Sequence, residues 1–557
     1  MKIGYYPGKH INNNVVSFLE KHARRQPHKI AFYFLSRGVP QLASLAHESI
    51  TYLDFNSRAG SAAGGFFKLG IRKSDRVIVF VPISPELYIS VAALQRIGAI
   101  PVLLDSLSRQ EQLAVIIKNS RPCGIVAPAT WLRAFKKHLD SLGIGIRIAT
   151  DENFKEGNTA KLAGLFSGHA REIAPVQQDH TALITYTTGS SGTPKGANRT
   201  HRFLAAQHYA LKRLFPYNQN DVDLPVFPVF ALNNLASGIT TVIPAIDISK
   251  PSPEDAKILV SQILQLKVNC MTLAPSSFRS LAIYCNETGT TLEGISRVLT
   301  GGAPISETDI SRFITIAPHS KNWILYGSTE VEPIAYIESK KMLAIKVPKQ
   351  INTTKIGVNV GKIDRALHYK FIKIETDDIR KTIDIRKIEV DRGEVGELIV
   401  AGEHVCQGYY KNKEAFLRTK IKDKSGTIWH RTGDLARIDH DGYLWVVGRR
   451  YNVIKHGDEY FFPVRPEIIL KDLPSVANAA YLDFDSKHKQ KIVAVVTLKN
   501  KGGEIEERCR KDVSKIFKRE KLPLDEVIFM GEIPMDVRHH SKVDYSSLRQ
   551  KLYEIFE

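Results

Sequence analysis

The run Arg76 to Val81 (RVIVFV) is almost continuously apolar. A strand carries such a run only when both of its faces are covered, which is the condition of a parallel sheet packed between helices. Its neighbours keep that promise. Helical spacing covers Thr51 to Phe67, closing near Gly70, and again Ser84 to Ile97. Strand-like runs follow at Ile100 to Leu104 and Gly124 to Ala127, with a helix at Glu111 to Asn119 between them. Upstream, Val15, Phe18, Leu19 and Ala23 mark an amphipathic helix over 13–26, and Ile30 to Leu35 reads as a strand. Strand–helix–strand units in series predict a doubly wound α/β sheet.

The alternation continues with helices at Ile258 to Leu266 and Ser277 to Cys285, and strands at Cys270 to Leu273 and Arg297 to Thr300. From about Leu343 the texture changes to short β-rich segments between charged turns, which predicts a β-subdomain over about 340–447. After a strand at Leu444 to Val447, the remainder reads as strands at Asn478 to Leu482, Ile492 to Leu498 and Val527 to Met530, with helices at Val513 to Arg519 and Ser546 to Phe556. That is a compact α+β module of about 110 residues, an ordinary domain size. Gly448 is the expected joint. The fold class expected is therefore α/β: a large N-terminal domain, 1–448, of doubly wound sheets plus a β-subdomain, hinged to a small α+β C-terminal lid, 449–557.

Composition narrows the function. Lys and Arg exceed Asp and Glu by 78 to 58, a net +20, which favours anionic partners unless it reflects a basic bias of the source proteome. The basic residues are scattered, and neither zinc-finger spacing nor an RNA-binding aromatic signature is present, so nucleic acid is not the expected partner. Five well-separated cysteines without a CxxC argue against a disulfide framework or a zinc site and for a reducing, cytoplasmic compartment. Residues 1–10 lack an apolar signal core, and no uninterrupted apolar run reaches the roughly 18 residues of a membrane span. Peripheral contact of the basic surface with an acidic membrane or a pathway enzyme stays open.

The segment Tyr186-Thr187-Thr188-Gly189-Ser190-Ser191-Gly192-Thr193-Pro194-Lys195-Gly196 follows an apolar strand, Ala182 to Ile184. Its glycines let the backbone turn and approach an anion, its amides can form a nest, and five hydroxyls and Lys195 add donors and charge. It is not a Walker A loop, because Lys195 follows Pro194 and is not followed by Ser or Thr.

This segment closely resembles the phosphate loop of the adenylate-forming superfamily of acyl-CoA synthetases, luciferases and peptide-synthetase adenylation domains. Further blocks stand in that family's order, so the resemblance covers nearly the whole chain. Residues 51–105 resemble its N-terminal lobe. Gly301-Gly302-Ala303-Pro304 resembles the turn lining the adenine and acyl pocket, and Tyr326-Gly327-Ser328-Thr329-Glu330 the adenine motif. The resemblance implies that Tyr326 stacks on adenine, Thr329 contacts phosphate, and Glu330, with Thr188, holds Mg²⁺. Arg431-Thr432-Gly433-Asp434 resembles the ribose motif, with Asp434 on the diol; Arg449 matches the arginine at the domain junction and Lys542 the C-terminal catalytic lysine. The implied catalytic set is Lys542, Thr188, Glu330 and Arg449, with ATP and Mg²⁺ as cofactors. Each residue type suits its role. Two anions, a carboxylate and the α-phosphate, must meet, so the developing charge needs cations and a metal. Lys542 could align both, and a carboxylate such as Asp434 accepts from two hydroxyls.

Three segments point to one branch. They are Asp223 to Leu232 (DLPVFPVFAL), Arg199-Thr200-His201, and Pro534 to Lys542 (PMDVRHHSK), where most acyl-CoA synthetases have Ser-Gly before the lysine. Together they resemble the β-lactone synthetases of olefin biosynthesis, which implies a long-chain β-hydroxy fatty acid substrate and no use of coenzyme A. Tyr451, Asn452 and Arg465 depart from the superfamily's hinge pattern, which puts a thioester-forming domain rotation in doubt. Phe227, Phe230, Leu232 and Leu235 could line an acyl tunnel or simply be core. A long-chain fatty acid–CoA ligase, a fatty acyl-AMP ligase and a non-catalytic nucleotide or lipid sensor are the competing expectations.

Overall fold

The computed structural model describes residues 13–35, 46–104, 110–151, 159–188, 194–248, 250–345, 356–375, 379, 382–486, 489–535 and 542–556. It is a mixed α/β fold. The chain packs as two compact units: 1–245 with 261–270 and 408–415, and 246–260 with 271–407 and 416–557.

In the first unit the apolar run is the strand Arg76–Val79, and it is central. It pairs in parallel with Ile100–Leu103 on one side and Gly124–Ala127 on the other. Ile146–Ala149 and Ala160–Lys161 extend one edge, and Thr181–Thr188 the other, all parallel. Val77 and Ile78 are fully buried, as the uninterrupted hydrophobicity of the run requires. Helices Tyr52–Lys68 and Pro85–Arg96 contribute to one core. There Phe32 stacks on Tyr88 with ring centroids 5.0 Å apart, and Phe55 lies 5.5 Å from Phe32. Thr51 caps the first of these helices by accepting from the Asp54 amide. A second sheet of this unit runs Val222–Pro225, Thr240–Val242, Ile30–Leu35, His47–Thr51.

Two expectations change here. The strand expected at Ala182 to Ile184 runs on to Thr188, because Thr and Tyr suit a pleated ladder as well as apolar residues do. Pro194–Thr200, expected to be loop at its start, is an antiparallel strand pairing Thr188 with Pro194, Thr187 with Lys195 and Tyr186 with Gly196. Proline and glycine hide that strand from a propensity reading. A Cβ at Gly196 would lie 2.9 Å from Tyr186 Cζ, so the tyrosine ring covers the glycine across the ladder.

In the second unit one sheet runs Arg297–Gly301, Lys321–Ser328, Val331–Glu338, Val358–Ile363, Leu444–Arg449, Ile428–Ile438, Gly396–Ala401, His368–Ile372. Only the first of these pairs is parallel. Gly448 lies within the strand Leu444–Arg449, opposite Leu435. The C-terminal stretch builds a three-stranded sheet from Val476–Ser486, Lys489–Leu498 and Glu526–Phe529. Alternation along the long hairpin gives it two apolar faces: Tyr481, Ala494 and Val496 pack with Val513 and Phe517, while Leu482, Val493 and Val495 pack with Leu548 and Leu552. Among the described residues no helix is long and apolar enough to cross a membrane.

The helix His201–Leu214 buries two imidazoles, and this has a consequence for pH. Burial lowers His201 to about 3 and His208 to about 4, from 6.5. His201 Nδ1 accepts from the Val15 amide at 3.2 Å, which needs an unprotonated nitrogen. Both folded values are depressed, so stability is complete above the unfolded value of about 6.5 and falls as pH drops from there. The loss is about 1.4 kcal/mol per pH unit for each ring until its folded value is reached. Urea unfolding at pH 7.5 and pH 5 should therefore show a smaller loss in His208→Gln than in the parent; equal losses would contradict neutral burial.

Candidate active site

In the second unit a polar constellation centres on Asp434. The strands Ile428–Ile438 and Leu444–Arg449 place Asp434 directly opposite Arg449. Arg449 Nε lies 2.7 Å from Asp434 Oδ1, and Tyr326 Oη donates to Asp434 Oδ2 at 2.6 Å. Thr432 Oγ1 accepts from the Asp434 amide at 3.0 Å and donates to Leu398 O at 2.8 Å. Gly433 sits between them at φ +71°, a left-handed conformation that favours glycine. Burial and the Asp434 carboxylate push the Tyr326 phenol far up, and Asp434 raises the Arg449 guanidinium. Each carboxylate oxygen has two acceptor sites. Both oxygens of Asp434 can thus keep their protein partners and still accept a hydroxyl from a diol.

Tyr326, Gly327 and Ser328 end the strand Lys321–Ser328, and Thr329 and Glu330 make the turn into Val331–Glu338. Ser328 pairs with Val331 across that turn. The Glu330 carbonyl accepts from the Cys406 amide at 2.7 Å, and Cys406 O in turn accepts from Lys420 Nζ. Glu330 is close enough to Lys420, His430 and Arg449 to influence the titration of all three. Burial lowers Lys420, and holds His430 down at about 3. Gly301 closes the strand Arg297–Gly301, where a Cβ would fall 2.1 Å from Leu325 O. Gly302 follows at φ +97°, leaving Gly302 and Pro304 exposed and Ala303 half-buried.

The structure thus brings Tyr326, Glu330, Asp434 and Arg449 together. In the first unit, Thr187 and Thr188 stand at the carboxyl end of a strand that runs parallel to its neighbour, where α/β sheets bind ligands, and Lys195 is the second residue of the returning strand. Gly189, Ser190, Ser191, Gly192 and Thr193 lie outside the described residues. Lys542 stands exposed in the second unit, just ahead of the helix Tyr545–Phe556. Of the acyl-tunnel candidates, Leu235 and Leu232 pack with the first unit's core, and Phe227 lies 6.2 Å from Phe230. Tyr451 is 62% exposed with Arg450 over its ring.

Sequence reasoning missed two supports. Lys420 reads as a solvated lysine, yet it is 1% exposed. Arg431 was only a motif letter; its Nε and Nη2 bind Glu397 at 3.0 and 2.5 Å, with both side chains 2% exposed. No local pattern announces that pair, because its members lie 34 residues apart on neighbouring strands.

Glu330 is a hard oxygen donor, and Mg²⁺ is usually held by one or two carboxylates plus substrate phosphates and water. Among the described residues no group of three or more His, Cys, Asp or Glu could hold a metal ion.

Comparison with known proteins follows the geometry. The family described as AMP-binding enzyme matches residues 19–410. An olefin beta-lactone synthetase of Xanthomonas campestris pv. campestris is 27% identical over 493 residues, 87% of each chain. That of Stenotrophomonas maltophilia is 26% identical over 546 residues, 96% of this chain and 97% of its own. In structure, the chain is similar to o-succinylbenzoate coenzyme A synthetase from Bacillus subtilis in complex with ATP and magnesium ion. That match has a TM-score of 0.73 and 20% identity, covering 96% of this chain and 98% of the other.

Removing one partner of the Glu397–Arg431 pair leaves a buried charge unmatched, at a cost of about 3–5 kcal/mol. Glu397→Ala should lose that much in chemical denaturation. A loss below about 1 kcal/mol, the range of an exposed pair, would contradict the pair's burial.

Proposed function

Because the chain belongs to the AMP-binding enzyme family, we propose that this adenylate-forming ligase activates a long-chain β-hydroxy fatty acid with ATP and closes it to a β-lactone. The observation that carries the nucleotide half is the Asp434 carboxylate, oriented by Tyr326 and Arg449 with acceptor sites to spare. The β-lactone half rests on similarity to the olefin beta-lactone synthetases over nearly the full chain.

In this reading a substrate carboxylate oxygen attacks the α-phosphorus of ATP. The bond to the bridging oxygen breaks and pyrophosphate leaves. Asp434 takes the ribose hydroxyls, Tyr326 the adenine face, and Gly302, Ala303 and Pro304 line the base. The hydroxyls and amides of 187–193, with Lys195 and Thr329, take the phosphates. Glu330, with Thr188, would hold Mg²⁺, which when bound supplies charge neutralisation on the phosphates. Lys542 bridges carboxylate and α-phosphate, and 449–557 acts as the lid that presents it. In the second step the β-hydroxyl oxygen attacks the acyl carbon, its proton passes to solvent, and the bond to AMP breaks. Water is lost overall from the acid and no thiol is consumed. The exposed Tyr451, with Asn452 and Arg465 at the hinge, suits a reaction completed without a second, thiol-accepting arrangement.

The runner-up, a long-chain fatty acid–CoA ligase, shares the first step; the chain's similarity to a coenzyme A synthetase fold is compatible with it. Incubation with ATP, Mg²⁺ and a long-chain β-hydroxy acid, with and without coenzyme A, separates the two by mass spectrometry. AMP and a product lighter than the acid by one water, formed without the thiol, is the expected result. Acyl-CoA formed only when the thiol is supplied would overturn the β-lactone assignment, and absence of AMP under every condition would favour a non-catalytic sensor.

A further inference from the structure

The helix Val464–Lys471 carries a glutamate that the proposed chemistry does not use. Glu467 is 8% exposed, and its Oε1 accepts from the Tyr481 amide at 3.0 Å and from Tyr545 Oη. Tyr545 is the first residue of the helix Tyr545–Phe556 and stands three residues after Lys542. The residues between are fixed as well. Val543 forms an antiparallel bridge with Met535, whose Sδ accepts from Asn478 Nδ2 at 2.9 Å. The Asp544 amide donates to Pro534 O at 2.9 Å. Asp544 Oδ1 accepts from the Ser546 and Ser547 amides at 3.1 Å each, and Oδ2 from Ser547 Oγ at 2.7 Å. Lys542 is thus the exposed end of a segment tied down immediately behind it.

Resting on the role given above to Lys542, we propose that Glu467 and Tyr545 are positioning residues that set the backbone from which Lys542 reaches the reacting carboxylate and α-phosphate. A purely apolar pair could fill this space without burying a carboxyl, and replacing buried polar pairs by apolar ones is often neutral or stabilising. What a hydrogen bond adds is direction. It fixes the rotation of the C-terminal helix about its own axis, and with it the exit vector of the residues before it. In-line transfer is sensitive to such geometry, since a displacement of about 1 Å can cost on the order of a hundredfold in rate. The helix Val464–Lys471 begins beside Arg449. A Cβ on Gly448 would come 3.2 Å from Cδ of Pro463, the residue immediately before helix Val464–Lys471. One short helix therefore ties the backbone beside Arg449 to the backbone behind Lys542.

Pyrophosphate release by the full-length enzyme tests this. Tyr545→Phe keeps the ring and removes the donor; it should lower kcat on the order of tenfold while KM for ATP stays within about twofold. Glu467→Ala should match it. Glu467→Gln, which keeps an acceptor oxygen at the same place, should stay near the parent rate. On the residual rate of Lys542→Ala, Tyr545→Phe should have no further effect, because the clamp acts only through the lysine. An unchanged kcat in Tyr545→Phe, a rise in KM at unchanged kcat, or a full multiplicative loss on the Lys542→Ala background would each overturn the proposal. Parent-level adenylation by Lys542→Ala itself would remove the role of the lysine and the clamp with it, a result distinguishable from failure of the clamp alone.

Discussion

The carboxylate of Asp434 is the fixed point from which the rest of the second unit can be understood. A carboxylate that is to accept a diol must hold one orientation before the ligand arrives. Here it is gripped from both sides: Arg449 faces it across the sheet, and Tyr326 reaches it from another strand. That grip requires the two strands in register at Asp434 and Arg449, a glycine at 433 to turn the motif, and Thr432 to seat the backbone. Shift either strand by one residue and its own side chain at this point would face the opposite side of the sheet.

Charge burial around this point follows the same logic. Glu397 and Arg431 are sealed away together, and Lys420 is enclosed with its ammonium on the Cys406 carbonyl. Such groups are a poor source of stability, since desolvation offsets most of the attraction. What they supply is geometry. Lys420 Nζ donates to Cys406 O and so holds the segment whose Cys406 N–H donates to Glu330 O, which fixes the turn bearing the proposed metal ligand.

The sequence was most legible where one physical demand dominates. Strands Gly124–Ala127 and Cys270–Leu273 have the bounds expected from their apolar runs, because burial on both faces leaves no alternative; Ile30–Leu35 has its expected bounds too, though only Ala31 and Phe32 are buried. Helix ends were less legible: Ser277 to Cys285 was expected, and the helix is Pro275–Thr288, started by a proline at its first turn and closed by Gly289 at φ +66°. The strand Pro194–Thr200 was hidden by its proline and glycine, and only its ladder with Thr181–Thr188 reveals it. Motif reading singled out Tyr326, Glu330, Asp434 and Arg449, which the fold brings together from two distant parts of the chain. It could not find Glu397, Lys420, Glu467 or Tyr545. Their importance lies in long-range partners, and each alone looks like an ordinary surface residue.

In the proposed reaction a carboxylate oxygen becomes bonded to the α-phosphorus of ATP. Isotope transfer tests it most directly. With a β-hydroxy fatty acid carrying ¹⁸O in both carboxylate positions, acyl-adenylate formation leaves one ¹⁸O in the AMP, whatever acceptor later takes the acyl group. AMP carrying a single ¹⁸O is the result the account requires. AMP without label, or label confined to pyrophosphate, would mean that the carboxylate never attacks the α-phosphate, and the assignment of this chemistry to the chain would fail.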